Sequence, residues 1–110
     1  MNMETLASIL QGEAAVLGPI GMYAVAGCLA TQIDAGWLPR EIESAWYGRA
    51  RPGECAVHLA QMIESEQIPA NGYLYCLSQD DVTKMGVRGE LIISATGTPF
   101  ELHLFKTWPG

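Results

Sequence analysis

Five residues, Ile68-Pro69-Ala70-Asn71-Gly72, divide the chain into two halves with different hydrophobic patterns. Proline, asparagine and glycine close together are typical of a turn, because each of them disfavours a continuing helix or strand. Before this turn, apolar residues recur at helical spacing; after it, they follow the shorter period of strands. Helices followed by strands predict an α+β fold rather than a parallel βαβ arrangement.

The first half is predicted to contain three to four helices. Their expected ranges are 3–17, 19–35, 40–47 and 54–67, separated by Gly18-Pro19, Gly36 and Pro52-Gly53. On the first helix the apolar positions are Met3, Leu6, Ile9, Leu10, Ala14 and Leu17. On the last helix we expect an apolar stripe made of Cys55, Leu59, Met62 and Ile63.

The second half is predicted to form a small antiparallel sheet of about three strands, with the helices packed on one face. The expected strands are 73–77, 87–95 and 100–107, and Thr96-Gly97-Thr98-Pro99 joins the last two as a hairpin. Ser78 is expected to cap one helical turn that ends at Gly86. In the last strand, Leu102 and Leu104 alternate with Glu101 and His103.

Length and charge bound the function. The 110 residues are 49% hydrophobic and carry a net charge of −6, which predicts one globular domain over residues 1–110 and excludes a disordered chain. An excess of acidic residues also argues against non-specific binding to nucleic acid, which needs a basic surface. Three cysteines and no basic segment at the start of the chain favour a cytoplasmic protein with reduced thiols and without a secretory signal.

The run from Ala14 to Ile33 contains no charged residue and is about as long as a membrane span. Its glycines and the absence of any Lys or Arg before Arg40 favour a buried helix, so we expect no membrane association. Ala24, Gly27, Cys28 and Thr31 form a stripe of small residues on the predicted 19–35 helix. One alternative reading is therefore a structural homo-oligomer sealed along Pro19–Ala35 by a second copy.

Catalytic signals are sparse. Cys55 and His58 lie three residues apart on one predicted helix, and Cys76 and His103 lie on two predicted strands that could pair. Either pair could supply a thiol and an imidazole, so a small cysteine-dependent enzyme is a second alternative. No spacing of ligands indicates a metal site, and no motif indicates a cofactor.

A protein-binding surface is the preferred interpretation. Arginine interleaved with aromatic residues is typical of interface hot spots, and the chain contains such a segment in Trp37, Arg40, Trp46, Tyr47, Arg49 and Arg51. Glu64 and Glu66 form a second, acidic candidate. A competing interpretation places Trp37 and Trp46 in the core and leaves the arginines as solvated charges.

These observations predict a small acidic interaction protein that blocks or adapts a protein partner. In size and charge the chain is similar to phage-encoded inhibitors and to immunity proteins. This similarity rests on no residue motif, so it assigns no functional residue.

Overall fold

The computed structural model describes all 110 residues and has the α+β architecture that the sequence predicts. Its elements, in chain order, are α1 (Met3–Ala14), a 3-10 turn (Ala15–Leu17), α2 (Gly18–Asp34), α3 (Pro39–Ala45), α4 (Glu54–Glu64), β1 (Tyr75–Ser78), α5 (Gln79–Met85), β2 (Leu91–Ser94) and β3 (Glu101–Phe105). The radius of gyration is 12.8 Å, against about 13 Å expected for one compact domain of this length.

Helices α1, α2 and α4 pack on one another and form the helical layer. Leu6, Ile9 and Leu10 of α1 are buried, as their spacing predicts. Cys55, the first residue of the apolar stripe predicted for α4, is exposed. The buried face is instead Ala56, Leu59, Ala60 and Ile63, whose two alanines allow α4 to lie close to α1.

The three strands form one antiparallel sheet in the order β1-β3-β2, with β3 at its centre. The predicted hairpin between β2 and β3 is present, and Ser94 pairs with Glu101 at its closed end. On the other side of β3, Cys76 pairs with Leu104. Leu102 and Leu104 are buried on the side of the sheet that joins the main hydrophobic core.

The opposite face of the sheet is also covered, which the sequence does not predict. His103 is only 3% exposed, although it alternates with the apolar residues Leu102 and Leu104. Gly89 donates its backbone N–H to His103 Nδ1 at 3.0 Å, and His103 Nε2 lies 3.0 Å from Gln79 Oε1. Because α5 packs against β1 and β3, it provides Gln79 and a second cover for the sheet.

The uncharged segment is divided between two helices. The stretch Met3–Asp34 is long and apolar enough to cross a membrane, and half of its most apolar window is buried inside the protein. A 3-10 turn separates α1 from α2 within this stretch, and the two helices pack on each other. The membrane and localisation expectations stay predictions.

The small-residue stripe of α2 is occupied by a turn of the same chain. Asn71 donates from Nδ2 to the Ala24 carbonyl at 3.1 Å, and Thr31 Oγ1 lies 3.2 Å from Asn71 Oδ1. A Cβ at Gly27 would come within 2.7 Å of Asn71 Nδ2, so the turn needs glycine there. The small-residue stripe therefore packs against the Asn71 turn of the same chain. The oligomer alternative expected the helix of a second copy at this position.

Candidate functional site

The most enclosed cavity in the protein lies between β1 and the segment that follows α3. We call it the β1 cleft; its volume is about 420 Å³. Its lining includes four aromatic residues, two carboxylates and one thiol: Trp46, Tyr47, Tyr75, Trp108, Glu13, Asp81 and Cys76. No lysine or arginine lines it. Cavities of this size and aromatic content are typical of ligand or side-chain recognition sites.

One wall of the cleft is held in place by a close approach between backbones. A Cβ at Gly12 would overlap backbone atoms of Gly48 and Arg49, so glycine allows this segment to lie directly on α1. The Gly48 N–H donates to Glu13 Oε1. This contact fixes the wall to the last turn of α1 and brings Glu13 to the cleft.

A buried hydrogen-bond relay forms the base of the same wall. Trp46 Nε1 donates to Gln32 Oε1 at 2.9 Å, and Gln32 Nε2 donates to the Leu74 carbonyl at 2.8 Å. Gln32 is 1% exposed, so each of its polar atoms would be costly to leave without a partner. The relay connects the residue after α3, through the last turn of α2, to the residue before β1.

Aromatic rings continue from the cleft across the surface. The Trp37 and Tyr75 ring centroids are 5.6 Å apart, and those of Tyr75 and Trp108 are 5.5 Å apart, both in tilted or edge arrangements that aromatic pairs prefer. Tyr47 lines the cleft with its side chain 88% exposed, and Trp108 is 54% exposed. We call Trp37, Tyr47, Tyr75 and Trp108 the aromatic surface.

Two carboxylates give the cleft its negative charge. Glu13 accepts a hydrogen bond from Gly48 through Oε1, and Asp81 accepts one from the Ser78 hydroxyl through Oδ2 at 3.2 Å. In each carboxylate the second oxygen has no protein partner. The N-terminal amino group pairs with Glu64, and Glu101 lies beside the His103 ring, so no basic group of the protein pairs with either cleft carboxylate.

The environment of the cleft thiol favours its protonated form. Burial raises the pKa of Cys76 well above its ordinary value, and the neighbouring Cys28 and Glu13 raise it further. Burial alone raises the pKa of Cys28 to about 12. Both groups therefore remain neutral thiols near neutral pH, and a neutral thiol is a poor nucleophile.

The structure divides the predicted contact segment into different roles. Tyr47 and Trp37 belong to the aromatic surface, as a contact role requires. Trp46 is 3% exposed and its indole is bonded to Gln32, so it belongs to the core and reaches the surface only where it lines the cleft. The same burial confirms the competing interpretation for Trp46 alone, because Trp37 remains half-buried at the surface.

The three predicted arginines also differ. Arg49 donates from Nη1 to the carbonyls of Trp46 and Gly48 at 2.7 and 2.8 Å, and from Nη2 to that of Glu43 at 3.0 Å. It therefore shapes the wall of the cleft. Arg40 and Arg51 are exposed and form no side-chain hydrogen bond or ion pair. Arg51 lies at a separate, open cavity beside Glu4 and Ser8.

The acidic candidates lie away from the cleft. Glu64 sits at the end of α4, with Oε1 3.9 Å from the N-terminal amino group. Glu66 follows in a left-handed conformation, with φ of 58°, and lines a shallow cavity with Asp34. Neither carboxylate contributes to the aromatic surface.

The two predicted thiol–imidazole pairs are not assembled as catalytic sites. Cys76 pairs with Leu104 in the sheet, and His103 pairs with Leu77 one position away. Successive side chains of a strand point to opposite faces, so Cys76 and His103 are separated by the sheet. Cys55 and His58 are both exposed and line none of the cavities. The protein has no group of three or more side chains suited to hold a metal.

Four residues of the cleft were missed by sequence reasoning: Glu13, Tyr75, Asp81 and Trp108. Asp81 carried a signal, because a cap at Ser78 places it in the first turn of α5, where its N–H donates to Ser78 Oγ at 3.3 Å. For the other three, no local pattern indicates that they meet. Their proximity depends on contacts between residues far apart in the chain.

Compared with protein-family models, curated proteins and solved structures, the chain shows no significant match. Its function is therefore argued from the cleft and the surface around it.

Proposed function

We propose that this protein acts by binding a protein partner, as a small inhibitor or adaptor, through the aromatic surface around the β1 cleft. The observation that carries this proposal is the row of Trp37, Tyr75 and Trp108 beside the highly exposed Tyr47. Three of these side chains, Tyr47, Tyr75 and Trp108, line a cavity that two carboxylates also line.

Such a surface favours association for two reasons. Tyrosine and tryptophan give large contact areas and are enriched among the residues that dominate binding energy. Rings already packed against one another lose little conformational freedom when a partner covers them, so less binding energy is spent on ordering. Tyr47 and Trp108 have the most exposed area to lose, and we assign them the role of anchors.

The cysteine-enzyme alternative has weaker support. The Cys76 thiol is neutral and separated from His103 by the sheet, while Cys55 and His58 lie outside every cavity. Nucleophilic catalysis needs an activated nucleophile beside both a base and a substrate-sized space. None of the thiols combines these properties.

The experiment is an affinity capture from lysate of the source organism, made with matched surface variants. The test variant is Tyr47→Ala/Trp108→Ala, and the control is Ile20→Ala/Tyr23→Ala, which removes two exposed apolar side chains from α2. We expect one stoichiometric partner to be held by the wild type and the control and lost from the test variant. Circular dichroism and thermal midpoints establish that both variants are folded.

Three outcomes would overturn the proposal. Retention of every partner by the test variant would exclude the aromatic surface. Loss from the control alone would move the interface to α2. Recovery of only further copies of this chain, with a dimer seen by light scattering, would replace the partner protein by self-association.

A further inference from the structure

We propose that the β1 cleft binds the side chain of an arginine presented by the partner protein. This inference rests on the proposed function and names the chemistry recognised at its centre. It concerns the cavity itself, whereas the proposed function concerns the rings around it.

The first argument is charge complementarity. Glu13 and Asp81 are half-buried at the cleft, and each has one carboxylate oxygen without a protein partner. No basic residue lines the cavity, and no ion pair of the protein reaches either carboxylate. A cation that entered the cleft would meet two acceptors without having to displace an existing ion pair.

The charge of Glu13 reaches the interior of the cleft. Its carboxylate contributes to the raised pKa of the Cys76 thiol, which lines the same cavity. A negative potential that disfavours a thiolate favours a positive group at the same place. The cavity therefore combines an enclosed volume of about 420 Å³ with a field that selects for cations.

The second argument is the shape of the lining. Trp46, Tyr47, Tyr75 and Trp108 line the same cavity as the two carboxylates. A guanidinium is planar, stacks on aromatic faces, and presents a fork of donors to carboxylates, while its alkyl stem packs on apolar surface. An ammonium group offers neither the plane nor the fork, so arginine is expected to bind more tightly than lysine.

Other occupants fit less well. A neutral apolar group would remove water from the two carboxylates without replacing their hydrogen bonds. A phosphate or carboxylate ligand would be repelled. A metal ion would find no group of three ligands.

The test is a titration of the ¹⁵N-labelled protein with N-acetyl-arginine methylamide at physiological salt, followed by NMR. The comparison probes are the lysine and norleucine equivalents, the second being a neutral side chain with an alkyl stem. We expect saturable shifts at residues 46–48 and 75–78 and at the Trp108 indole with arginine. The lysine probe should bind several-fold more weakly, and norleucine should give no saturable shift in this region.

Two matched double variants test whether the cleft carboxylates are the charges that bind arginine. Glu13→Gln/Asp81→Asn keeps an acceptor oxygen for Gly48 and Ser78 and removes both cleft charges. The control Glu43→Gln/Asp80→Asn removes two charges from residues that do not line the cleft. We expect at least a ten-fold loss of arginine affinity in the first variant and less than a two-fold change in the control.

The inference fails if norleucine binds as well as arginine, because the cleft would then be an apolar site. It also fails if arginine shifts no cleft resonance, or if the control loses as much affinity as the cleft variant. The probe comparison uses the wild type, so it stands even where a variant does not fold. If the arginine probe binds but no captured partner depends on Tyr47 and Trp108, the proposed function alone is overturned. A partner that depends on Tyr47 and Trp108, together with no binding of the arginine probe, would overturn the arginine site alone.

Discussion

Trp46 and Gln32 are joined inside the protein by a hydrogen bond of 2.9 Å, from the indole Nε1 to the amide Oε1. Gln32 Nε2 in turn donates a hydrogen bond to the Leu74 carbonyl at 2.8 Å. One glutamine thus links the residue after α3 to the residue before β1, and both Trp46 and Leu74 line the β1 cleft. A buried polar group of this kind fixes a single arrangement, because any other would leave several polar atoms without partners.

Replacement of Gln32 by leucine is therefore expected to destabilise the fold strongly. It leaves the Trp46 N–H and the Leu74 carbonyl buried without partners, which costs about 2 to 4 kcal/mol of the free energy of unfolding. Urea unfolding measures the change. Gln67→Leu is the control, since Gln67 is exposed and its side chain forms no hydrogen bond. Equal stability of the two variants would contradict the role of the relay.

Replacing Arg49 and replacing Arg51 should have different effects on the stability of the fold. Sequence reasoning predicts that Arg49→Ala/Arg51→Ala weakens partner binding and leaves thermal stability nearly unchanged. The structure leads to a different expectation for Arg49, because its guanidinium bonds three backbone carbonyls. Arg49→Ala should lower the free energy of unfolding by about 1 kcal/mol, and Arg51→Ala should leave it unchanged. Thermal unfolding of the two single variants would show this, and an equally stable Arg49 variant would refute it.

Gly27 and Asn71 should behave as a coupled pair. A Cβ at residue 27 would approach Asn71 Nδ2 to 2.7 Å, so Gly27→Ala should cost about 1 to 3 kcal/mol through overpacking. Asn71→Ala loses the hydrogen bonds to Ala24 and Thr31 but also removes the atoms that the new methyl would strike. The double variant should be more stable than the sum of the single changes predicts. Strict additivity in chemical denaturation would count against this packing.

Alkaline pH should destabilise the protein through Cys28. Burial raises its pKa from 9.0 to about 12, so above pH 9 the unfolded chain loses this proton while the folded chain keeps it. The unfolded state then binds fewer protons, and the free energy of unfolding falls by about 1.4 kcal/mol per pH unit from this group. Below that pH the thiol is neutral in both states and has no effect.

Urea unfolding of the wild type and of Cys28→Ala at about pH 8 and pH 10 tests this linkage. The variant should lose less stability between the two conditions than the wild type. A parallel decline in both proteins would show that Cys28 does not contribute.

The three thiols should also differ in their reaction with iodoacetamide. Cys55 is exposed, whereas Cys28 is buried and Cys76 is held as a neutral thiol in the cleft. We expect mass spectrometry to find one fast site in the folded protein and three in urea. Fast labelling of Cys76 in the folded protein would restore the cysteine-enzyme hypothesis.

Local patterns in the sequence determined the elements of this fold. The spacing of Leu6, Ile9 and Leu10 predicts the buried face of α1, and the turn at 68–72 marks the change from helices to strands. Ser78 and Gly86 bound α5 as their cap chemistry requires. These features depend on residues close together in the chain, so they can be recognised without knowledge of the tertiary structure.

Which side chains come together at the cleft depends on the tertiary structure. His103 alternates with the apolar residues of β3, and contacts with Gln79 of α5 and with Gly89 accompany its burial. The Asn71 turn reaches Thr31 across 40 residues of sequence, and the cleft collects side chains from residue 13 to residue 108. A helical or strand period determines which residues share a face of one element. It does not determine which faces meet, because that depends on how the layers fill space together.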